Sequence, residues 1–294
     1  MERISHSRLI DYLQLMRVPA VFTALSNILA AHLIATQGSI AWLPLILLMA
    51  SSAALYTGGM VLNDWFDYQT DLQERPERPL PAGRIRRRSA FLLGIGLLLC
   101  GIASAFLVSN RSLSIALLIA CLILLYDGLL KGSLVGSLNM GGCRYFNWLL
   151  GLSTLPLTAE QLIIPLPIFV YIASLTWLSR EEEAAMHRGV LIVSAIGIAA
   201  SLLSIPLVMP NALLEHPSVG LLTLGALLFL ARQFTLTYRH YSPTRVQGTI
   251  KQLIFGIILL DALMVLAFGP WWGVLALLPL LLLGRQLARV MYVT

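Results

Sequence analysis

The sequence predicts an all-α fold, a polytopic bundle of transmembrane helices, and three observations carry that reading. Of the 294 residues, 58% are hydrophobic and 12% charged, where a soluble domain has roughly 45–50% apolar and about 25% charged residues. The apolar residues arrive in long blocks rather than at alternating or heptad spacing. Residues 90–109 and 189–209 carry no charge at all, and at about 1.5 Å per residue each reaches across about 30 Å of hydrocarbon. The basic residues, finally, gather in alternate connections between the blocks. A soluble enzyme, a disordered chain, a coiled coil and a secreted disulfide scaffold are excluded as readings of the whole chain.

Residues 1–17 are polar and lack an apolar core, so they do not read as a signal peptide and the first span is expected to insert directly. Ten candidate spans follow: 18–36, 42–62, 90–109, 113–126, 139–157, 163–178, 189–209, 219–234, 253–268 and 271–283. Several are short and the last is the weakest, which flanking Lys and Arg accommodate by snorkelling. With ten crossings and a cytoplasmic N-terminus, all but Arg111 of the 20 Lys and Arg residues fall inside, as the positive-inside rule requires. Merging the last two blocks would put Arg285 and Arg289 on the other side. The expectation is therefore one membrane domain over residues 1–294, in the plasma membrane, with both termini cytoplasmic. The outer loops are short, whereas connections 63–89 and 232–252 are long and cytoplasmic, so any chemistry belongs at the inner face. Topology accounts for the pI near 9.5 without a nucleic-acid partner. Cys100, Cys121 and Cys143 form no CxxC pair, and the five histidines have no ligand spacing, so zinc and haem gain no support.

The most informative stretch ends the second span: Asn63-Asp64-Trp65-Phe66-Asp67-Tyr68-Gln69-Thr70-Asp71. On a continuous helix Asp64, Asp67 and Asp71 share one face, with Asn63 a turn behind Asp67. This is a helix C-terminus, where the macrodipole is already negative, beside a low-dielectric slab. A divalent cation relieves that repulsion, and Mg²⁺ characteristically takes one or two carboxylates and draws further oxygens from substrate phosphates. Next comes Arg75-Pro76-Glu77-Arg78-Pro79-Leu80-Pro81-Ala82-Gly83-Arg84. Its prolines stop the helix and hold the chain extended, and Arg75 and Arg78 present forks suited to phosphate oxygens. Arg86, Arg87 and Arg88 read as membrane anchors.

The run N-D-x-x-D-x-x-x-D followed by R-P-x-R-P-L-P-x-G resembles the first signature of the UbiA-type membrane prenyltransferase superfamily. The resemblance implies an intramembrane helical enzyme of about nine spans, with the tenth here an addition. It also implies transfer of an isoprenoid chain from a polyprenyl diphosphate to an acceptor, often aromatic, with Mg²⁺ as cofactor. On that likeness Asp64, Asp67 and Asp71 hold the metal and, with Lys131, do the catalytic work. Tyr126-Asp127-Gly128-Leu129-Leu130-Lys131 resembles the family's Tyr…Lys element, whose Lys helps hold the diphosphate. Asn63, Arg75, Arg78, Tyr126, Arg144, Asn147 and Arg180 are the further substrate-binding candidates.

The chain departs from the family at the end of the sixth span. Where the superfamily places further aspartates, this sequence reads Thr176-Trp177-Leu178-Ser179-Arg180-Glu181-Glu182-Glu183. Three alternatives stand: Glu181 and Glu182 hold a second metal, Arg180 replaces it as a diphosphate contact, or the second metal is lost. These elements, with N-M-G-x-C-R-x-x-N, look like the divergent EboC-like branch. Ionisation of the donor also calls for aromatic faces near the allylic cation, for which Trp65, Phe66, Tyr126, Tyr145, Phe146, Trp148 and Trp177 are placed. Asp261, alone in the ninth span, requires a partner inside the bundle. A non-enzymatic carrier or scaffold for a lipid-like molecule on the same bundle is the second reading. A CDP-alcohol phosphotransferase is set aside, because its D-x-x-D-G-x-x-A-R element is absent.

Overall fold

A computed structural model describes residues 8–182, 185–208 and 217–289. Every described regular element is helical: α1 Arg8–Leu15, α2 Val18–Ala35, α3 Trp42–Phe66, α4 Tyr68–Glu74, α5 Arg87–Phe106, α6 Asn110–Leu125, a π-helical turn Tyr126–Leu130, α7 Leu134–Leu152, α8 Ala159–Ile163, α9 Leu166–Ser179, α10 Arg188–Val208, α11 Pro217–Arg239, α12 Pro243–Phe268 and α13 Gly273–Leu287. Each of the ten expected spans finds a helix. Eight segments are long and apolar enough to cross a membrane. The other two helices, α7 and α13, fall short for different reasons. Polar Asn139, Arg144 and Asn147 dilute α7, and α13 is only 15 residues long.

The ninth span, expected at 253–268, begins ten residues earlier, as Pro243–Phe268, and the fifth, expected at 139–157, is shifted bodily to Leu134–Leu152. Ser133 caps it, accepting a hydrogen bond from the Gly136 amide at 2.9 Å, so the helix starts earlier than hydropathy suggests. Pro156 lies just beyond its end. The shift carries Arg144 from near the charged end of the span to its middle.

Helices pack closely where small residues allow it, as is usual between membrane helices. A Cβ on Gly101 would lie 2.7 Å from the Leu55 side chain and 3.0 Å from the Ser51 carbonyl, and one on Gly94 would lie 2.7 Å from Leu62. This seats α5 against α3 and fixes the helix that ends in the acidic stretch.

Polar contacts separate the two ends of the bundle. At one end Arg111 donates to the carbonyls of Leu155 (2.6 Å) and Ser153 (3.4 Å), and Ser112 bonds Ser153 at 2.7 Å. The other end carries α1, α4, the proline-rich 75–86 segment, the π-turn and the start of α12. Arg84 ties that segment down, its Nε donating to buried Asp11 at 2.6 Å.

Candidate active site

The acidic stretch is not one uninterrupted helix. Asp67 sits at the joint between α3 and α4, although the amide ladder runs through it: Asp67 N to Asn63 O and Asp71 N to Asp67 O, both 2.9 Å. The joint separates Asp67 from Asp64 and Asp71, which share a cation. Arg78 Nη1 donates to Asp71 at 2.9 and 3.1 Å and to Asp64 at 3.4 Å. Arg17 Nη2 donates to Asp64 at 3.0 Å, while Asp67 pairs with Lys131 from the π-turn. Burial pushes the Asp71 carboxyl up from its ordinary value, and the Arg78 guanidinium pulls against that rise.

Arg17 is a functional candidate that the sequence reading counted only among the basic residues of the inner side. It joins α1 to α2 with φ 48°, a left-handed backbone uncommon for a residue other than glycine. The only sequence signal is its place two residues before Pro19, which opens α2. Asp127 is another. Asn63 Nδ2 donates to its Oδ1 at 2.7 Å, binding α3 to the π-turn. The five-residue π-turn ends at Lys131, and such turns recur at functional sites.

Behind these groups lies a chamber of about 330 Å³. Arg17, Asn63, Asp67, Arg75, Tyr126, Asp127, Lys131 and Glu182 ring its mouth. Its walls are apolar, from Leu55, Ile119, Ile123, Met140, Ile172, Leu175, Ile250, Ile254 and Ile257, and Tyr56, Arg144, Asn147 and Ser52 lie at the inner end. A second, polar cavity of about 490 Å³ opens outside the mouth and shares Arg17, Arg75 and Glu182 with it. Asp64, Arg78 and Lys251 line this outer vestibule.

The second acidic element divides. Glu182 lines both cavities. Glu181 does not; it is buried and accepts from the His187 amide at 2.8 Å, faces His187 Nδ1 at 3.2 Å and accepts from the Tyr241 hydroxyl at 3.2 Å. Burial pushes its carboxyl up, but these hydrogen bonds prevail and hold it below its ordinary value. Arg180 is exposed and lies 4.4 Å from the Trp177 ring centroid, away from both cavities. Glu183 lies outside the described residues, as does Arg3 of the charge count.

Of the aromatic residues nominated for the cation, Tyr126 alone lines the chamber, where it is joined by the unforeseen Tyr56. Trp65 lies under Arg87 at 4.7 Å, and fully buried Trp148 donates to Asp261 at 3.0 Å. Asp261 thus has its partners: Trp148, Ser26 at 2.5 Å, and Asn27 Nδ2 at 2.8 and 2.9 Å.

Among the described residues no three His, Cys, Asp or Glu side chains converge tightly enough to hold a metal ion by themselves. The donor set nevertheless suits Mg²⁺, a hard cation content with one or two carboxylates when phosphate oxygens complete its shell. Asp64, Asp67 and Asp71 supply only oxygen, and each already faces a cation.

The profile of the UbiA prenyltransferase family matches residues 24–247. Among relatives in sequence, the digeranylgeranylglyceryl phosphate synthase of Methanopyrus kandleri is 32% identical over 145 residues, covering 48% of this chain and 53% of the relative. The synthase of the same name from Sulfurisphaera tokodaii is 34% identical over 128 residues, 43% and 46% of the two chains. The matched stretch therefore spans about half the length of each relative. Among solved structures, a digeranylgeranylglyceryl phosphate synthase superposes with a TM-score of 0.66 at 22% identity, over 89% of this chain and 99% of that one. A UbiA homolog from Archaeoglobus fulgidus, bound to GPP and Mg²⁺, gives 0.64 at 15% identity over 86% and 99%. These likenesses establish the fold.

Proposed function

The chain belongs to the UbiA prenyltransferase family, and from that premise we propose that it is an integral membrane transferase that moves an isoprenoid chain from a polyprenyl diphosphate to an acceptor. The observation that carries this reading is the mouth of the inner chamber, where acids and cations ring the opening of an apolar-walled cavity. A diphosphate is at home among Lys131, Arg17, Arg75 and Asn63, and an isoprenoid among the Ile and Leu side chains behind them. Asp64, Asp67 and Asp71 are the residues that would hold Mg²⁺, which supplies charge neutralisation of the diphosphate leaving group.

In the reaction the C1–O bond of the donor breaks, its electron pair leaves with the diphosphate, and C1 bonds the acceptor's nucleophilic atom as that atom gives up its proton to the departing diphosphate. The leaving group gathers negative charge at the mouth, where Lys131 and Arg17 stabilise it. The ring face of Tyr126, at the mouth, is suited to the developing allylic cation. The apolar walls offer that cation no competing nucleophile.

The names of the relatives make a glycerophosphate-type acceptor the first class to test, ahead of the aromatic acceptor inferred from the family signature. The departure at Arg180–Glu182 supports placing the chain on a divergent, EboC-like branch. The basic-residue distribution supports setting the charged end in the cytoplasm. Titration of the purified protein in detergent with geranylgeranyl diphosphate tests the reading. Micromolar binding with Mg²⁺ that disappears in EDTA is the expected result, and absence of binding in both conditions overturns it.

One observation favours the carrier reading instead. Glu181 is engaged by His187 and Tyr241, so among the described residues of the second acidic element Glu182 alone faces the cavities. Uptake of an unmodified prenyl lipid into vesicles, without release of diphosphate, distinguishes a carrier from a transferase.

A further inference from the structure

Arg144 lies deep in the bundle, not at the mouth. Its guanidinium contacts Thr23, Asn27 and Tyr56, and these residues stand six to ten positions inward from Arg17 and Asn63. At 1.5 Å per residue that is about 10 Å below the ring of acids, further than a diphosphate held at the mouth extends.

An arginine at such depth is costly and persists where it faces a polar cavity or a partner. Here the partner is indirect. Arg144 donates to neutral oxygens, Thr23 Oγ1 at 2.8 Å and Asn27 Oδ1 at 3.1 Å. The nearby carboxylate, Asp261, lies on the other side of Asn27, whose Nδ2 donates to both of its oxygens. The amide is thereby locked, oxygen towards the arginine and nitrogen towards the acid. Asp261 balances the charge without occupying the guanidinium, which has five N–H donors and turns its remaining edge to the chamber beside Asn147 and Ser52.

We infer that Arg144 forms a second anion subsite, at the inner end of the chamber, which holds the carboxylate or phosphate of the acceptor and directs its nucleophilic atom towards the mouth. This rests on the proposed transferase reading, in which the donor's diphosphate occupies the mouth. Asn27 and Asp261 are positioning residues: they fix the guanidinium and touch no substrate. The ends of the chamber thus divide the work, cations at the mouth for the leaving group and Arg144 for the acceptor.

The test is titration calorimetry of the full chain in detergent with Mg²⁺. The donor probe is geranylgeranyl S-thiolodiphosphate, a poorly transferable analogue. The acceptor probes are 4-hydroxybenzoate for a carboxylate and glycerol 1-phosphate for a phosphate, each added to donor-loaded protein. R144Q is expected to weaken whichever acceptor probe binds by at least tenfold while donor affinity stays within threefold, and K131Q to weaken the donor. Should R144Q not fold, R144K gives the same readout, since a point charge replaces a fork: a threefold loss for the probe with donor binding kept supports the subsite. Equal probe affinity in the variant, donor loss in R144Q matching that in K131Q, or binding of neither probe to wild-type protein overturns it. Failure of the donor to bind wild-type protein, with probe binding still dependent on Arg144, instead removes the transferase reading and leaves the subsite standing.

Discussion

Lys131, at the end of the π-turn, pairs with Asp67 at the joint between α3 and α4. The two residues lie 64 positions apart in sequence, and the pair spans the mouth of the chamber. Each is engaged by the other; under the proposed function a diphosphate and its metal would draw the ammonium to phosphate and the carboxylate to the cation. D67N is therefore expected to lower Mg²⁺-dependent affinity for geranylgeranyl diphosphate at least tenfold, measured by calorimetry. Unchanged affinity would separate Asp67 from the metal.

Arg78 serves two carboxylates that are themselves almost wholly buried, Asp64 and Asp71. Removing one partner of a buried ion pair leaves an uncompensated charge and costs about 3 kcal/mol or more. R78Q should lower the thermal unfolding midpoint in detergent. Adding D71N should restore part of the loss, because burial already favours the neutral acid there. A double-mutant cycle with no coupling would refute the arrangement.

Trp148 donates to Asp261 in the interior of the bundle. W148F keeps much of the packing and deletes the donor, leaving Asp261 short of one partner at a cost of about 1–3 kcal/mol. Because Asp261 orients Asn27 and hence Arg144, the variant should also weaken acceptor-probe binding more than donor binding. Equal effects on both would mean that Trp148 contributes packing alone.

The Glu181 clasp should be sensitive to acid. Its folded carboxyl titrates below the ordinary value of 4.5, so its stabilising contribution is complete above that pH and is lost as pH falls through the folded value. Wild-type protein should show a falling unfolding midpoint in that acid range, and E181Q a shallower fall. Parallel curves for the two proteins would assign the acid sensitivity elsewhere.

Much of this molecule follows from local sequence. Uncharged blocks long enough to cross a bilayer have few other fates, because a helix alone satisfies its own backbone hydrogen bonds in hydrocarbon; hence every expected span has its helix. The acidic run and the Arg-Pro segment were legible for a similar reason: carboxylates crowded at a helix C-terminus and prolines in series are conspicuous within a single window. The family likeness resided in the same residues.

What the sequence left open depends on contacts between residues far apart in the chain. Arg17 and Arg111 are both arginines beside a span, yet one bonds Asp64 in the site and the other caps carbonyls at the opposite end. Glu181 and Glu182 are neighbours, and a turn sends one to His187 and Tyr241 and the other to the cavities. The depth of Arg144 was decided by the Ser133 cap, which moved the start of α7, and by Asn27 and Asp261, which make a buried guanidinium tolerable by distributing its charge through an amide. Sequence alone determined which segments enter the membrane, because hydrophobic transfer is a local property of the chain. Only the tertiary structure decided which charges meet, because in a low-dielectric interior each buried charge must find a partner and that partner comes from another helix.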